Sequence, residues 1–243
     1  MKYWLLILTV FSTTLWAEPA LSPAQDTRVR ELVRETLVNN PQILEEAIAA
    51  LQAQQQKKQG QALSAFIKNN ASILYHDPAT PVIGAKDPKL TLVNFTDYNC
   101  PYCKVLDPEL MKLLRAFPQI AVAIKHLPFK GKSSEQAAEL ALSVWEKNPE
   151  KFRALHENLM RYKPHHTEQS IMRSEKRAEV ELSLADISPQ SHETLTSNLQ
   201  LARQLGINGT PTTLIGEQLL VGAVPYNTLE RAVRQELARG GHG

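Results

Sequence analysis

The chain has 243 residues, with 27 lysines and arginines against 25 aspartates and glutamates, a formal net charge of +2. Both signs are spread along the sequence, which argues against a nucleic-acid partner or an anionic membrane surface; Lys57-Lys58 and Arg173–Arg177 read as solvated helix faces. The only two cysteines, Cys100 and Cys103, are too few for a disulfide framework, and the length allows one packed domain with an appendage.

The N-terminus has the order of an export signal. Met1-Lys2 is basic, Trp4–Phe11 is apolar, and Ser12–Ala17 ends on a small residue, so cleavage is expected after Ala17 and residues 1–17 are assigned to the signal. Leu15, at the minus-three position, is larger than the usual residue there. Glu18, Pro19 and Ser22 follow too soon for a membrane span.

Residues 18–60 read as a helical segment. Val29, Leu32, Val33 and Leu37 share one side of a helix. Asn40-Pro41 interrupts it, with Asn40 expected to cap a second helix whose stripe is Leu44, Ala47, Ile48 and Leu51. A glutamine-rich stretch, LQAQQQKKQGQ, then lacks an apolar face until Leu63, Phe66 and Ile67. Two such stripes cannot bury themselves. They pack either on their own domain or on other subunits, and a polar connector ahead of residue 61 favours oligomerisation.

Residues 72–89, with Pro78, Pro81, Gly84 and Pro88, read as a loop into the main domain. Leu90–Phe95 is an apolar strand. A polar turn, Thr96–Asn99, leads into Cys100-Pro101-Tyr102-Cys103, and Leu106, Leu110, Leu113, Leu114 and Phe117 continue with helical spacing, with a kink expected at Pro108. A C-x-x-C pair where a strand runs into a helix is the thioredoxin-like redox pattern. The physical reason is electrostatic: unpaired N–H groups and partial positive charge at a helix start stabilise a thiolate, which is the nucleophile of disulfide exchange. Cys100 is thus expected as the exposed attacking sulfur and Cys103, one turn deeper, as the resolving one. Pro101 suits the first helical position, where its missing N–H costs nothing, and with Tyr102 it tunes the pair. A structural disulfide would close too short a loop to stabilise much, and a zinc site lacks its remaining ligands. Two-coordinate Cu(I) on both thiolates stays open as an alternative.

Ile120–Phe129 is a second strand. Ser133 and Gln136 have capping-box spacing, and from there to about Leu205 the chain reads as helical, including Arg177–Ile187 and Glu193–Leu205. His156, His165, His166 and His192 read as surface or partly packed residues. In Gly206–Ile215 a proline, Pro211, precedes a β-run, where it has no ladder N–H to offer. Gly216-Glu217 turns into Gln218–Val221, and Pro225 opens a last helix with Leu229, Val233 and Leu237 on one side.

The succession of strand, C-x-x-C-K-x-x-x-P, helical insertion, G-T-P-T, hairpin and terminal helix over Lys89–Ala238 resembles the DsbA-like thioredoxin-fold family. With D-Y-N-C-P-Y-C and two helical stretches ahead of the domain, it is most similar to the suppressor-of-copper-sensitivity protein C group of oligomeric DsbA-like proteins. The resemblance implies an α/β thioredoxin fold over residues 61–243, with the insertion at about 133–205. It implies a cis bond before Pro211, facing the disulfide, and Thr210 presenting backbone groups to an extended substrate. No cofactor is expected beyond a redox-active Cys100–Cys103 disulfide. Expected partners are cysteine-containing exported proteins, a membrane redox protein and further copies of the chain, as dimer or trimer, in the periplasm. An oligomer favours disulfide isomerisation; dithiol oxidation and Cu(I) sequestration are the alternatives. One position departs from the family: its buried acid is Asn94 here, which cannot titrate, while Asp97 lies in the turn.

Overall fold

The computed structural model describes residues 21–240, so the expected export signal lies outside the described residues. The chain divides near Lys58 into two units. In the first, α1 (Pro23–Asn39) starts on a capping box in which Ser22 and Gln25 bond each other's backbone N–H. It buries no residue, and Val29, Leu32, Val33 and Leu37 line an apolar trough with Ile43. Asn40 caps the end of α1, its Nδ2 donating to the Thr36 carbonyl at 2.9 Å, not the start of the next helix as expected. The glutamine-rich stretch also departs from expectation. α2 runs unbroken from Gln42 to Asn69, because Gln, Ala and Lys are good helix formers even without an apolar face.

The second unit is built on a five-stranded sheet, ordered β1 (Val82–Gly84), β3 (Ile120–His126), β2 (Leu90–Thr96), β4 (Thr212–Ile215) and β5 (Gln218–Val221). β2 and β3 are parallel and the other pairings antiparallel. Every residue of β2 and β3 is buried, as expected of strands covered on both faces. On one face Leu90, Leu92, Ile120, Val122 and Ile124 pack with α4 (Pro101–Ala116) and α9 (Tyr226–Ala238). On the other, Val93, Phe95, Ala123 and Leu214 meet Ile67, Leu74 of α3 (Ala71–Tyr75), and Leu201 and Ala202 of α8 (Pro189–Gln204).

Three further readings need correction. The expected loop 72–89 contains α3 and β1, and β1 ends where Gly84 takes φ 127° and a side chain would strike Ile120 and Ala121. The insertion comprises α5 (Lys132–Lys147), α6 (Pro149–Arg161), α7 (Glu168–Arg177) and α8, but Arg177–Ile187 holds only a 3₁₀ turn, Leu184–Asp186. There Glu179, at φ 53°, ends the helical path. The capping box at Ser133 does not form: Gly131 caps α5, and the neighbouring hydroxyls serve the site described next. α4 itself continues through Pro108.

Candidate active site

Asp97 fixes the turn that carries β2 into α4. Its buried Oδ1 accepts from the Asn99 N–H at 2.7 Å and the Ser134 hydroxyl at 2.8 Å, and its Oδ2 from the Lys130 N–H at 3.0 Å. Asn99 ties the same turn to the insertion. Its amide donates to Ser133 Oγ at 2.9 Å and Ser134 Oγ at 3.0 Å, and its Oδ1 accepts from the His166 N–H at 2.7 Å. Asp97 is therefore occupied in holding backbone. Asn94, at the position of the expected acid, accepts from Thr213 Oγ1 at 3.3 Å.

Cys100 is the N-cap of α4 and Pro101 its first residue. The expectation of an exposed Cys100 is corrected: it is 3% exposed and Cys103 1%, whereas Tyr102 is 66% exposed. The cover comes from the segment before β4. The thiol of Cys100 donates to the Thr210 carbonyl at 3.2 Å, and the Thr210–Pro211 bond is cis. Two pairs distant in sequence, Cys100 with Cys103 and Thr210 with Pro211, are thus gathered at one end of the sheet.

The two thiols are electrostatically unequal. Cys100 is lowered from 9.0 to about 5, first by the hydrogen bond from the Cys103 thiol and further by the Thr210 side chain and the N–H groups of Cys103 and Tyr102, against the opposing effect of burial. Burial pushes Cys103 far up, and its hydrogen bond to Cys100 adds to the rise. One sulfur is poised as an anion at neutral pH and the other keeps its proton. Pro101, lacking an N–H, leaves those of residues 102 and 103 to face the sulfur.

Sequence reasoning missed the shell around this pair. Lys104 is buried, and its Nζ donates to the carbonyls of Tyr162 (2.6 Å) and Pro164 (2.9 Å) just beyond α6; burial lowers its pKa. Under the turn, Tyr98 Oη meets His156 Nδ1 at 3.0 Å and His156 Nε2 meets Asp107 Oδ1 at 2.9 Å. The His126 ring lies 4.9 Å from that of Tyr98, and burial, then His156 and Lys125, lowers its pKa to about 3. His156 and His166 are buried, contrary to expectation, while His165 and His192 are exposed. His156 was legible in part: Phe152, Leu155, His156 and Leu159 share one helical stripe. His192 comes together with Glu135 and Glu139, and the hydrogen bond between exposed His192 and half-buried Glu139 accounts for the group.

Residues 91–234 match the DSBA-like thioredoxin domain. The chain belongs to the DsbA-like thioredoxin-domain family, one of thiol–disulfide oxidoreductases. Residues 25–58 match the N-terminal domain of copper resistance protein ScsC; that segment contains no Cys, His or Met and so offers none of the soft ligands Cu(I) prefers. The chain is similar to a periplasmic thioredoxin-like protein from Salmonella enterica serovar Typhimurium, at 52% identity and TM-score 0.67 over 69% of this chain and 95% of that one. It is similar to Proteus mirabilis ScsC in a compact conformation, at 47% identity and TM-score 0.70 over 89% of this chain and 100% of that one. Disulfide bond formation protein D of Bacillus subtilis is 28% identical over 171 residues, 65% of this chain and 77% of that protein. No helix among the described residues is long and apolar enough to cross a membrane.

Proposed function

We propose that this protein is a periplasmic thiol–disulfide exchange enzyme that isomerises disulfides of exported proteins through Cys100 and Cys103. The observation that carries the reading is the inequality of the two thiols, one ionised at neutral pH with the Thr210 side chain among the groups that favour its charge, the other buried and protonated. Cys100 attacks one sulfur of a substrate disulfide; a bond forms between Cys100 and that sulfur, and the other substrate sulfur departs as a thiolate. A second substrate thiolate then attacks the held sulfur, leaving a rearranged disulfide and free Cys100, with no net change in oxidation. If no such thiolate arrives, Cys103 attacks Cys100, the Cys100–Cys103 disulfide forms and the substrate leaves reduced. A membrane redox partner returns the pair to the dithiol. Thr210 and Pro211 present backbone to the extended substrate beside Cys100.

The isomerase direction is supported by the first unit. Val29, Leu32, Val33, Leu44, Ile48 and Leu51 are all exposed in the single chain. Apolar faces of this kind mark contact surfaces, and joining two or three subunits through them would set several copies of Cys100 around one substrate at high effective concentration. The periplasmic location is supported by the order of residues 1–17 and by the stated location of the Salmonella relative. The test has two parts. Scrambled ribonuclease should regain activity with the reduced protein, and alkylation trapping in cells should find the cysteine pair mostly reduced. A mostly oxidised pair with no rescue would point to a dithiol oxidase.

A further inference from the structure

The resolving step asks more of Cys103 than any step asks of Cys100. Burial holds its proton, yet it must ionise to attack Cys100 once that sulfur is bonded to the substrate. Asn94 cannot accept a proton, and its amide oxygen is taken up by Thr213.

The face of the sheet that looks toward Cys103 carries a second polar pair. Side chains alternate along a strand. On β2, Leu90 and Leu92 join the core that contains Cys103 and α4, whereas Val93 and Phe95 join the opposite one. Thr96 continues the series of Leu90 and Leu92. On β3, Ile120, Val122 and Ile124 face that same core, and His126 continues their series. Thr96 and His126 are direct partners in the parallel register. Both are buried, at 1% and 0% exposure, and with the cysteines as thiols neither Thr96 Oγ1 nor either ring nitrogen of His126 has a hydrogen-bond partner among the described residues. Buried polar atoms are seldom left this way, and three of them on one register pair are a reserve of donors and acceptors.

We propose that the Thr96 hydroxyl, oriented by the neutral imidazole of His126, donates the hydrogen bond that stabilises Cys103 as it ionises in the resolving step. The inference rests on the exchange reading above. Thr96 and the Asp97 backbone both favour the ionised form of the Cys103 sulfur, against the effect of burial. A neutral imidazole has one N–H and one bare nitrogen; its N–H, turned to Thr96 Oγ1, leaves the hydroxyl proton for the sulfur. The titratable and charged groups around the pair are Cys100, Lys104 and Asp97 near Cys103, and Tyr98, His156 and Lys125 near His126, with Asp107 behind His156. In the step itself the Cys103 sulfur bonds to Cys100, the Cys100–substrate bond breaks, and the substrate sulfur leaves with the electron pair and takes up the Cys103 proton. Thr96 keeps its own proton throughout. A hydrogen bond donated to the charged form of a group favours that form, so the free hydroxyl of Thr96 gains its partner when Cys103 ionises.

The test uses the full chain with Cys100 loaded with thionitrobenzoate as a mixed disulfide, and follows release of the coloured thiolate as Cys103 attacks. Thr96→Val should slow release by about tenfold or more at neutral pH. Its pH–rate profile should move to the alkaline side by about one unit. Thr96→Ser, which keeps the hydroxyl, should restore the parent rate to within about threefold. His126→Phe should also slow release, and the double variant with Thr96→Val should be no slower than Thr96→Val alone; Thr96→Ala replaces the valine variant if that one does not fold. Release from Thr96→Val at the parent rate and profile, or no rescue by serine, would overturn the proposal, and additive losses would remove His126 from it. If the parent's Cys100 does not take up the label, or Cys103 never releases it, the exchange reading itself fails, a result separable from the others.

Discussion

Replacing Cys103 by alanine removes the largest of the influences that ionise Cys100. With a pKa of about 5, Cys100 is about 99% thiolate at pH 7, against about 1% at the ordinary 9.0, a gain of about 100-fold in the reactive form. The gain is not all rate. Nucleophilicity falls with a Brønsted slope of roughly 0.4–0.5, so about four pKa units cost roughly 40- to 100-fold in intrinsic reactivity. The two effects nearly cancel for attack by Cys100. What survives is the ease with which Cys100 departs from a mixed disulfide, since a low-pKa thiol is a good leaving group. Cys103→Ala should therefore move the midpoint of Cys100 alkylation upward by about one unit or more, and Cys103→Ser by less, because its hydroxyl still donates. The assay is the rate of iodoacetamide labelling from about pH 3 to about pH 9, read by mass spectrometry. A parent midpoint in the ordinary thiol range, or an alanine variant unmoved from the parent, would refute the electrostatic argument.

Other consequences are open to the same kind of test. The folded pKa of Cys100, about 5, lies below the ordinary 9.0, so its ionisation contributes stability that is complete above about pH 9 and lost as pH falls through about 5. The melting temperature of the reduced protein should rise relative to Cys100→Ser between those limits, and a difference that shrinks with pH would contradict it. Lys104→Met strands the carbonyls of Tyr162 and Pro164 and should cost about 2–4 kcal/mol in urea unfolding; a loss under about 0.5 kcal/mol would show that the clasp is idle. Val33→Glu with Ile48→Glu places charge in both exposed stripes, so sedimentation should find a monomer that has lost isomerisation but still oxidises simple dithiols. An oligomer of unchanged mass would exclude those faces as the interface.

What could be read from the sequence followed the strength of local pattern. β2, α4, the β4–β5 hairpin and α9 each combine an apolar period with a Pro, Gly or Cys signal, and all are present. β1 escaped because it is only three residues long, ending on Gly84 in a proline-rich stretch. Arg177–Ile187 is not helical because Val180, Leu182 and Leu184, which pack on the core, alternate as an extended segment does. The glutamine-rich part of α2 shows the opposite error, in which high helix propensity was hidden by the lack of an apolar face. At the site, the pair of cysteines and the Thr210-Pro211 step were legible as motifs. The burial of Cys100 was not, because its cover arrives from more than a hundred residues away. The same holds for Asn99, Ser133 and Ser134, and for Thr96 and His126, whose neighbourhood exists only once β2 and β3 are in register.

The central claim, that Cys100 exchanges with substrate disulfides and Cys103 resolves, is tested most directly by trapping. Cys103→Ser, expressed as the full chain and isolated after acid quench and alkylation, should carry exported cysteine-containing proteins linked to Cys100 and released by reductant, while Cys100→Ser should carry none. Equal trapping by the two variants, or none by Cys103→Ser, would contradict the account.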